Sequence, residues 1–345
     1  MNAPSANTAF TQPPAEHPTG QQLAALAALC KASADPLRLQ VLRVLQKDSF
    51  GVSELCGLFD IRQPALSHHL KVLATAGLVA TRREGNSIFY RRSMLGKQSA
   101  LDTLQHSIFA TVDDIALAPA VNERLQALYR QRERNSRHFF RDNADKFRQQ
   151  QDLIASYGQY AETVAGVLAD APLSRFDTAL EVGPGDGAFL LELCPRFERV
   201  LALDNAPAML DQARERVGQA GAENVEFILG DTRSAELRGI EADFVVINMV
   251  LHHTASPGRI LQEVAACLAP GGVVLITELC RHHQDWTRES CGDLWMGFEP
   301  RELARWAARA GLDEIAGVYL AQRNGFQIQV RLFGPPGTRP QKRTR

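Results

Sequence analysis

The stretch "TALEVGPGDGAFLLEL", residues 178–193, decides the architecture of the larger part of this chain. Thr178 to Val182 is a short apolar run broken by one acid, which predicts a buried strand. It leads straight into Gly183-Pro184-Gly185-Asp186-Gly187 and then into a helix predicted over Phe189 to Leu193. Glycines at that turn let the backbone approach a ligand closely at the carboxyl end of the strand. Nineteen residues after Gly185, a second strand, Val200 to Leu203, ends in Asp204. That spacing suits an acid accepting hydrogen bonds from two ribose hydroxyls. The loop also fits the loose dinucleotide pattern Gly183-x-Gly185-x-x-Ala188, so by itself it does not choose a ligand.

Three features turn the reading away from a dinucleotide. Glu181, just before the loop, repels a pyrophosphate but can help hold an amino-acid ammonium group. A third strand, Val225 to Leu229, ends at Gly230-Asp231, where a carboxylate can accept from an adenine amino group. "DFVVINMVLHH" (243–253) and "LAPGGVVLITE" (268–278) then supply the fourth and fifth strands. Strands alternating with helices from Phe176 onward predict a parallel sheet covered on both faces.

In this order the motifs resemble the class I S-adenosylmethionine-dependent methyltransferases, over roughly residues 140–333. The resemblance implies an α/β, Rossmann-like domain with a mostly parallel seven-stranded sheet, and S-adenosylmethionine or S-adenosylhomocysteine as its cofactor. It sets Gly183, Gly185 and Gly187 against the methionine part of that ligand, with Glu181 beneath them. Asp204 would hold the ribose, Asp231 and Thr232 the adenine, and Asn248 the ligand's edge. His252 is the candidate pocket and catalytic residue, whereas His253 reads as packing after the strand. His282 and His283 read equally well as surface residues or as ligands. Asp243 reads as a strand-start residue.

Toward the N-terminus, apolar residues recur at helical spacing from Gln21 to Gln46, interrupted at Asp35-Pro36, which predicts two helices. Val52 to Phe59 predicts a third. In a fourth, Pro64 sits near the first position and Leu66, Leu70 and Leu73 form one apolar stripe, leaving Gln63, Ser67, His68 and Lys71 on the opposite face. Gly77 ends that helix, and Leu78 to Arg92 alternates as a hairpin around Gly85-Asn86. Residues 61–92 carry a local charge of +5, against −6 over residues 181–260, although the net charge of the whole chain is −1. Helices with a polar outer face, followed by an arginine-rich hairpin, predict a winged helix-turn-helix (α+β).

"SADPLRLQVL" (33–42), "QPALSHHLKVLATAGLV" (63–79) and "GNSIFYRR" (85–92) resemble the ArsR-type transcriptional regulators. That resemblance implies a homodimer on palindromic double-stranded operator DNA. Gln63, Ser67, His68 and Lys71 would reach bases or phosphates, and Arg82, Arg83 and Arg91 would flank the backbone. The family's thiolate pair, written E-L-C-x-C, stands here as Glu54-Leu55-Cys56-Gly57-Leu58, with the second cysteine missing. No metal site is expected, and the input signal has to come from the second domain.

The expected organisation is a disordered leader (1–19), a winged helix-turn-helix (20–98), a helical connector and dimerisation segment (99–140), the methyltransferase-like domain (141–333) and a basic disordered tail (334–345). Tyr157 and Tyr160, with aromatics upstream, either pack on the second domain or cover a ligand. The cysteines, six in all, include no C-x-x-C pair, which fits reduced thiols. No apolar run approaches the ~18 residues of a membrane span, and no targeting segment is visible, so a cytoplasmic protein without membrane contact is expected.

The arrangement resembles the S-adenosylhomocysteine-responsive ArsR-type repressors of the methionine cycle, which implies a DNA-binding regulator with that ligand as effector. An active methyltransferase of a small acceptor is the alternative. Arsenite is disfavoured as that acceptor, since Asn248 to Leu251 brings no cysteine to the end of the fourth strand.

Overall fold

The computed structural model describes residues 20–46, 48–84, 87–93, 99–254, 256–284 and 286–338. The expected leader, the Gly85-Asn86 turn and residues 339–345 of the expected tail lie outside them. The chain begins with α1 (Gly20–Ser33), α2 (Pro36–Val44), α3 (Val52–Phe59) and α4 (Gln63–Thr75). Asp35 caps α2, its Oδ1 accepting the Arg38 N–H at 2.9 Å, while Pro36 occupies a first-turn position that needs no donor. In α3 the Gly51 N–H donates to Glu54 at 2.8 Å, and Asp60 in the left-handed region ends the helix. Leu66, Leu70 and Leu73 of α4 are fully buried, and Gln63, His68 and Lys71 are exposed on its other side. β1 (Phe50–Gly51), β2 (Val79–Glu84) and β3 (Ser87–Arg92) complete a winged helix as an antiparallel sheet of order β1-β3-β2.

Next come α5 (Ala100–Asp114), α6 (Pro119–Ala155) and α7 (Tyr157–Ala169). α6 runs unbroken for 37 residues, so the boundary expected after residue 140 falls inside a helix. Residues 130–151 contain neither glycine nor proline, and nothing in them stops the helix. Its first part packs on the winged helix through Val121 and Leu125. Arg132 donates to both carboxylate oxygens of Glu54 at 2.8 and 2.6 Å.

The second unit is built from β4 (Thr178–Val182), α8 (Leu190–Leu193), β5 (Arg199–Asp204), α9 (Pro207–Gln219), β6 (Val225–Leu229) and β7 (Ala242–Asn248). It continues with α10 (Pro257–Ala265), β8 (Leu268–Leu279), α11 (Trp286–Ser290), α12 (Pro300–Arg309), β9 (Asp313–Ala321) and β10 (Gln327–Gly334). The sheet has seven strands in the order β6-β5-β4-β7-β8-β10-β9. Neighbours from β6 to β8 are parallel, and β10 is antiparallel to both β8 and β9. Alternate residues feed opposite cores. Ala179, Val200, Ala202, Phe244 and Val246 point to one face; Leu180, Leu201, Leu203, Val245 and Ile247 point to the other. Burial on both faces is why these strands read as continuous apolar runs. Because the chain steps from β4 to β5 on one side and β7 lies on the other, the loops at their carboxyl ends diverge and leave a crevice.

Candidate ligand cavity and DNA-facing surface

That crevice is a cavity of about 410 Å³, above the carboxyl ends of β4 to β7. Glu181, Gly183, Gly185 and Asp204 line it, as do Asp231, Thr232 and Asn248. Gly185 has φ +57°, and a Cβ there would meet nothing within 4 Å, so the missing side chain leaves space on the cavity side. Gly187 is not among the lining residues, contrary to the sequence reading. A Cβ on it would sit 2.9 Å from Ala213 Cα, so this glycine faces α9, and its role is to let helix and loop close together.

Glu181 is 1% exposed, and burial pushes its carboxyl up to about 8. Its Oε1 lies 3.5 Å from Asn248 Nδ2, and its Oε2 has no hydrogen-bond partner among the described residues. Burial also pushes Asp204 up, to about 6, against the backbone N–H of Ala206, which donates to its Oδ1 at 2.8 Å. Asp231 behaves differently. Burial raises it, yet the Arg233 side chain and N–H outweigh this and hold the carboxyl below its ordinary value. Arg233 Nη2 sits 2.6 Å from Asp231 Oδ2. The Thr232 hydroxyl donates to Glu263.

Tyr157 and Tyr160 also line the cavity, and at the same time they pack on the core of the second unit. Their rings meet edge to face with centroids 5.6 Å apart, and burial pushes both phenol pKa values up. The signal for them was two aromatics three residues apart on the helix preceding the first strand. After β7 the chain leaves the sheet at Met249, whose φ is +55°. A 3-10 turn over Leu251–His253 follows, and it reverses the expected histidine roles. His253 lines the cavity, whereas His252 does not. The His252 ring lies against that of His253 but is held off the cavity, its Nδ1 2.5 Å from Glu278 Oε1. The two rings stay together, with centroids 4.0 Å apart, and sequence alone does not say which of them reaches the cavity. Burial opposes charge on both rings. For His252 the Glu278 and Asp293 carboxylates prevail and the pKa is raised; for His253 burial and the His252 ring hold it well below its ordinary value.

On the winged helix, Ser67 is half-buried between the exposed Gln63, His68 and Lys71 of α4. The wing arginines are arranged differently from the sequence reading. Arg82 is 8% exposed and turned onto the second unit. There its Nη2 donates to Gly297 O at 2.7 Å and its Nη1 lies 3.6 Å from Glu302 Oε2. Arg91 Nη1 lies 3.4 Å from the other Glu302 oxygen. The Arg82 position contradicts a phosphate-facing role in this arrangement, because a buried acid on α12 holds its guanidinium off the outer surface, while Arg91 stays part-exposed. Arg83 lies on β2, and its side chain falls outside the described residues. No helix among the described residues is long and apolar enough to cross a membrane.

The fold and the cavity thus define a winged-helix regulator joined to a methyltransferase-type domain, and comparison with known proteins agrees. Residues 35–81 match the model described as bacterial regulatory protein, arsR family, and residues 180–276 match the methyltransferase domain. The chain is 50% identical over 66 residues to the biofilm growth-associated repressor of Agrobacterium fabrum, covering 19% of this chain and 56% of that protein. It is 38% identical over 76 residues to the transcriptional activator HlyU of Vibrio cholerae, covering 22% of this chain and 70% of HlyU. Over 153 residues it is 26% identical to the carboxy-S-adenosyl-L-methionine synthase of Shewanella piezotolerans, covering 42% of this chain and 62% of the synthase. It therefore spans less than two thirds of the length of the repressor and of the synthase. The chain belongs to the arsR family of bacterial regulatory proteins and carries a methyltransferase domain behind its winged helix.

Proposed function

We propose that this protein is a DNA-binding regulator, acting as a homodimer in the cytoplasm, whose methyltransferase domain takes S-adenosylmethionine or S-adenosylhomocysteine as an effector. Ligand binding shifts the dimer between operator-bound and released states, and genes of the methionine cycle are its expected targets. One observation carries this reading: the wing is seated on the methyltransferase domain beside the cavity. Besides the Arg82 and Arg91 contacts to Glu302, Phe89 of β3 packs edge-on against Trp295 with ring centroids 5.2 Å apart. Trp295 Nε1 donates at 2.8 Å to the carbonyl of Thr254, a cavity-lining residue. The backbone N–H groups of Leu294 and Trp295 both donate to His252 O, at 2.9 and 3.1 Å. A ligand that moves the His253-Thr254 wall therefore has a short packed route to the wing. Arg82, held by Glu302, is withheld from phosphate, so a wing released from this seat would differ in DNA affinity. Such differential affinity is what a population shift requires.

The residues present suit the ligand. Glu181 Oε2 and Asn248 Oδ1 are buried acceptors without hydrogen-bond partners among the described residues, matched to an ammonium group or ribose hydroxyl. Gly185 leaves room for the ligand's backbone-proximal part, and Asp204 ends β5 at ribose distance in sequence from the loop. When bound, the cofactor supplies an activated methyl group or, as its demethylated form, a report of methyl consumption.

The test is fluorescence anisotropy on DNA from the upstream region of its own gene, titrating each ligand separately at fixed salt. Release or tightening by one of them is the expected result. Equal operator affinity with and without both ligands overturns the reading. A second reading, turnover of a small acceptor, is favoured by Tyr157, whose hydroxyl is buried at the cavity wall without a hydrogen-bond partner among the described residues. Methyl transfer needs mainly alignment of donor and acceptor, which such a group provides. S-adenosylhomocysteine formation across amines, phenols and arsenite tests it, and no product from any acceptor counts against it.

A further inference from the structure

His252, His253 and Asp293 are buried together, and one donor atom from each lies within 4.8 Å of the others. Asp293 Oδ1 is 3.5 Å from His253 Nδ1 and 3.8 Å from His252 Nε2. These three side chains are at most 5% exposed. Glu278 lies behind His252. It accepts the His252 and Leu279 backbone N–H groups at 3.2 and 2.6 Å, and its Oε1 lies 2.5 Å from His252 Nδ1. A carboxylate so placed requires the proton on Nδ1, which turns the lone pair of Nε2 toward Asp293 Oδ1. Two acceptors facing each other in a dry interior repel unless a cation or a proton lies between them. A carboxylate fixing the tautomer of a histidine whose other nitrogen meets a second donor set is the usual support for a metal-binding imidazole.

We propose that His252, His253 and Asp293 form a binding site for a divalent first-row transition ion, with Glu278 as the positioning residue behind His252. Imidazole and carboxylate donors suit such ions better than calcium or magnesium. At metal–ligand bonds of about 2.0–2.1 Å, tetrahedral donors lie roughly 3.3–3.4 Å apart, so the two distances to Asp293 close by a few tenths of an ångström. Three protein donors leave one position over, and His253 lines the ligand cavity, so the ion sits in the cavity wall. Asp293 is two residues before Trp295, which touches the wing, and an ion here pins that segment to the end of β7. The sequence offered no warning, because the ligands are forty residues apart and form no spaced motif.

The experiment uses the full chain, stripped with a chelator, dialysed, and titrated separately with Zn²⁺ and Co²⁺. Elemental analysis after gel filtration is expected to give one ion per chain, and the Co²⁺ form to show visible d–d absorption. Asp293→Asn and His253→Gln are expected to weaken uptake strongly, and Glu278→Gln by about 10–100-fold, as loss of an outer carboxylate does. Circular dichroism checks that these variants fold. Should any of them fail to fold, X-ray absorption of the Zn²⁺-loaded unaltered chain decides, with a nitrogen and oxygen shell showing imidazole scattering expected. Absence of stoichiometric uptake, uptake unchanged in the folded variants, or sulfur scatterers pointing to Cys291 or another thiol would each overturn the proposal. A histidine–carboxylate pair bridged only by a proton gives the first of these results.

Discussion

Glu181 is a carboxyl that the fold keeps protonated near neutrality. Burial raises it from an ordinary 4.5 to about 8, so the folded chain holds a proton that the unfolded chain gives up between those values. Its contribution to stability is therefore fully present below the lower value and is lost as pH rises toward the higher one. Ligand binding has the opposite sign. A cationic ammonium group favours the ionised carboxylate, so affinity for S-adenosylhomocysteine is expected to increase from pH 6.5 to 8.5, with a proton released on binding. Calorimetry in buffers of different ionisation enthalpy measures both. Glu181→Gln is expected to weaken binding by about tenfold or more and to flatten the pH dependence. Unchanged pH dependence in that variant assigns the effect to another group, with Asp204, raised to about 6, the next to examine.

Among the elements, the loop after β4 and the helix α4 carry separable roles. Gly187 combines φ +79° with a Cβ position 2.9 Å from the backbone of α9. Gly187→Ala is expected to cost about 1–3 kcal/mol, from backbone strain and the displaced helix, readable as a lower urea midpoint. Since Gly187 faces α9, the loss of stability should exceed any direct loss of ligand contact. On α4, Lys71 stands on the exposed face with Gln63 and His68. Lys71→Ala is expected to weaken binding to all duplexes alike and to reduce the slope of log affinity against log salt by about one. A specificity change at constant slope would instead make Lys71 a base-reading residue.

For the whole molecule, coupling rests on Glu302, the buried acid by which α12 meets the wing. Arg82 and Arg91 approach it from the wing. Arg305 and Arg309 on α12 have lowered pKa values, burial being the main cause and neighbouring arginines adding to it. Glu302→Gln removes the counter-charge that faces Arg82, Arg91 and Arg305 and is expected to release the wing. Operator affinity without ligand should then change several-fold, and the ligand response, typically about 1–3 kcal/mol in two-site coupling, should fall toward zero. By linkage, cavity affinity measured without DNA should shift by no more than that same coupling factor, whereas a larger loss would mean damage to the cavity itself. A ligand response of full size in this variant would show that coupling runs elsewhere.

Much of this protein was legible in sequence because its information is local. Helix starts at Pro36 and Pro64, the end signal at Gly77, and the strand termini at Val182, Asp204 and Leu229 all follow from propensity, capping and burial of short segments. The cavity acids Glu181, Asp204 and Asp231 were legible for a related reason: each sits at or just past a strand end, and a parallel sheet brings those ends together. Gly187, His252 and Arg82 were misplaced, each by a neighbour distant in sequence. Ala213 closes on the glycine, Glu278 holds the histidine off the cavity wall, and Glu302 draws in the arginine. The sequence by itself determined a winged helix joined to a doubly covered sheet with a glycine-lined crevice, since periodicity and turn chemistry act over a few residues. Only the tertiary structure decided which histidine lines the cavity and that the wing rests on the methyltransferase domain, because burial and charge pairing between remote segments set side-chain position.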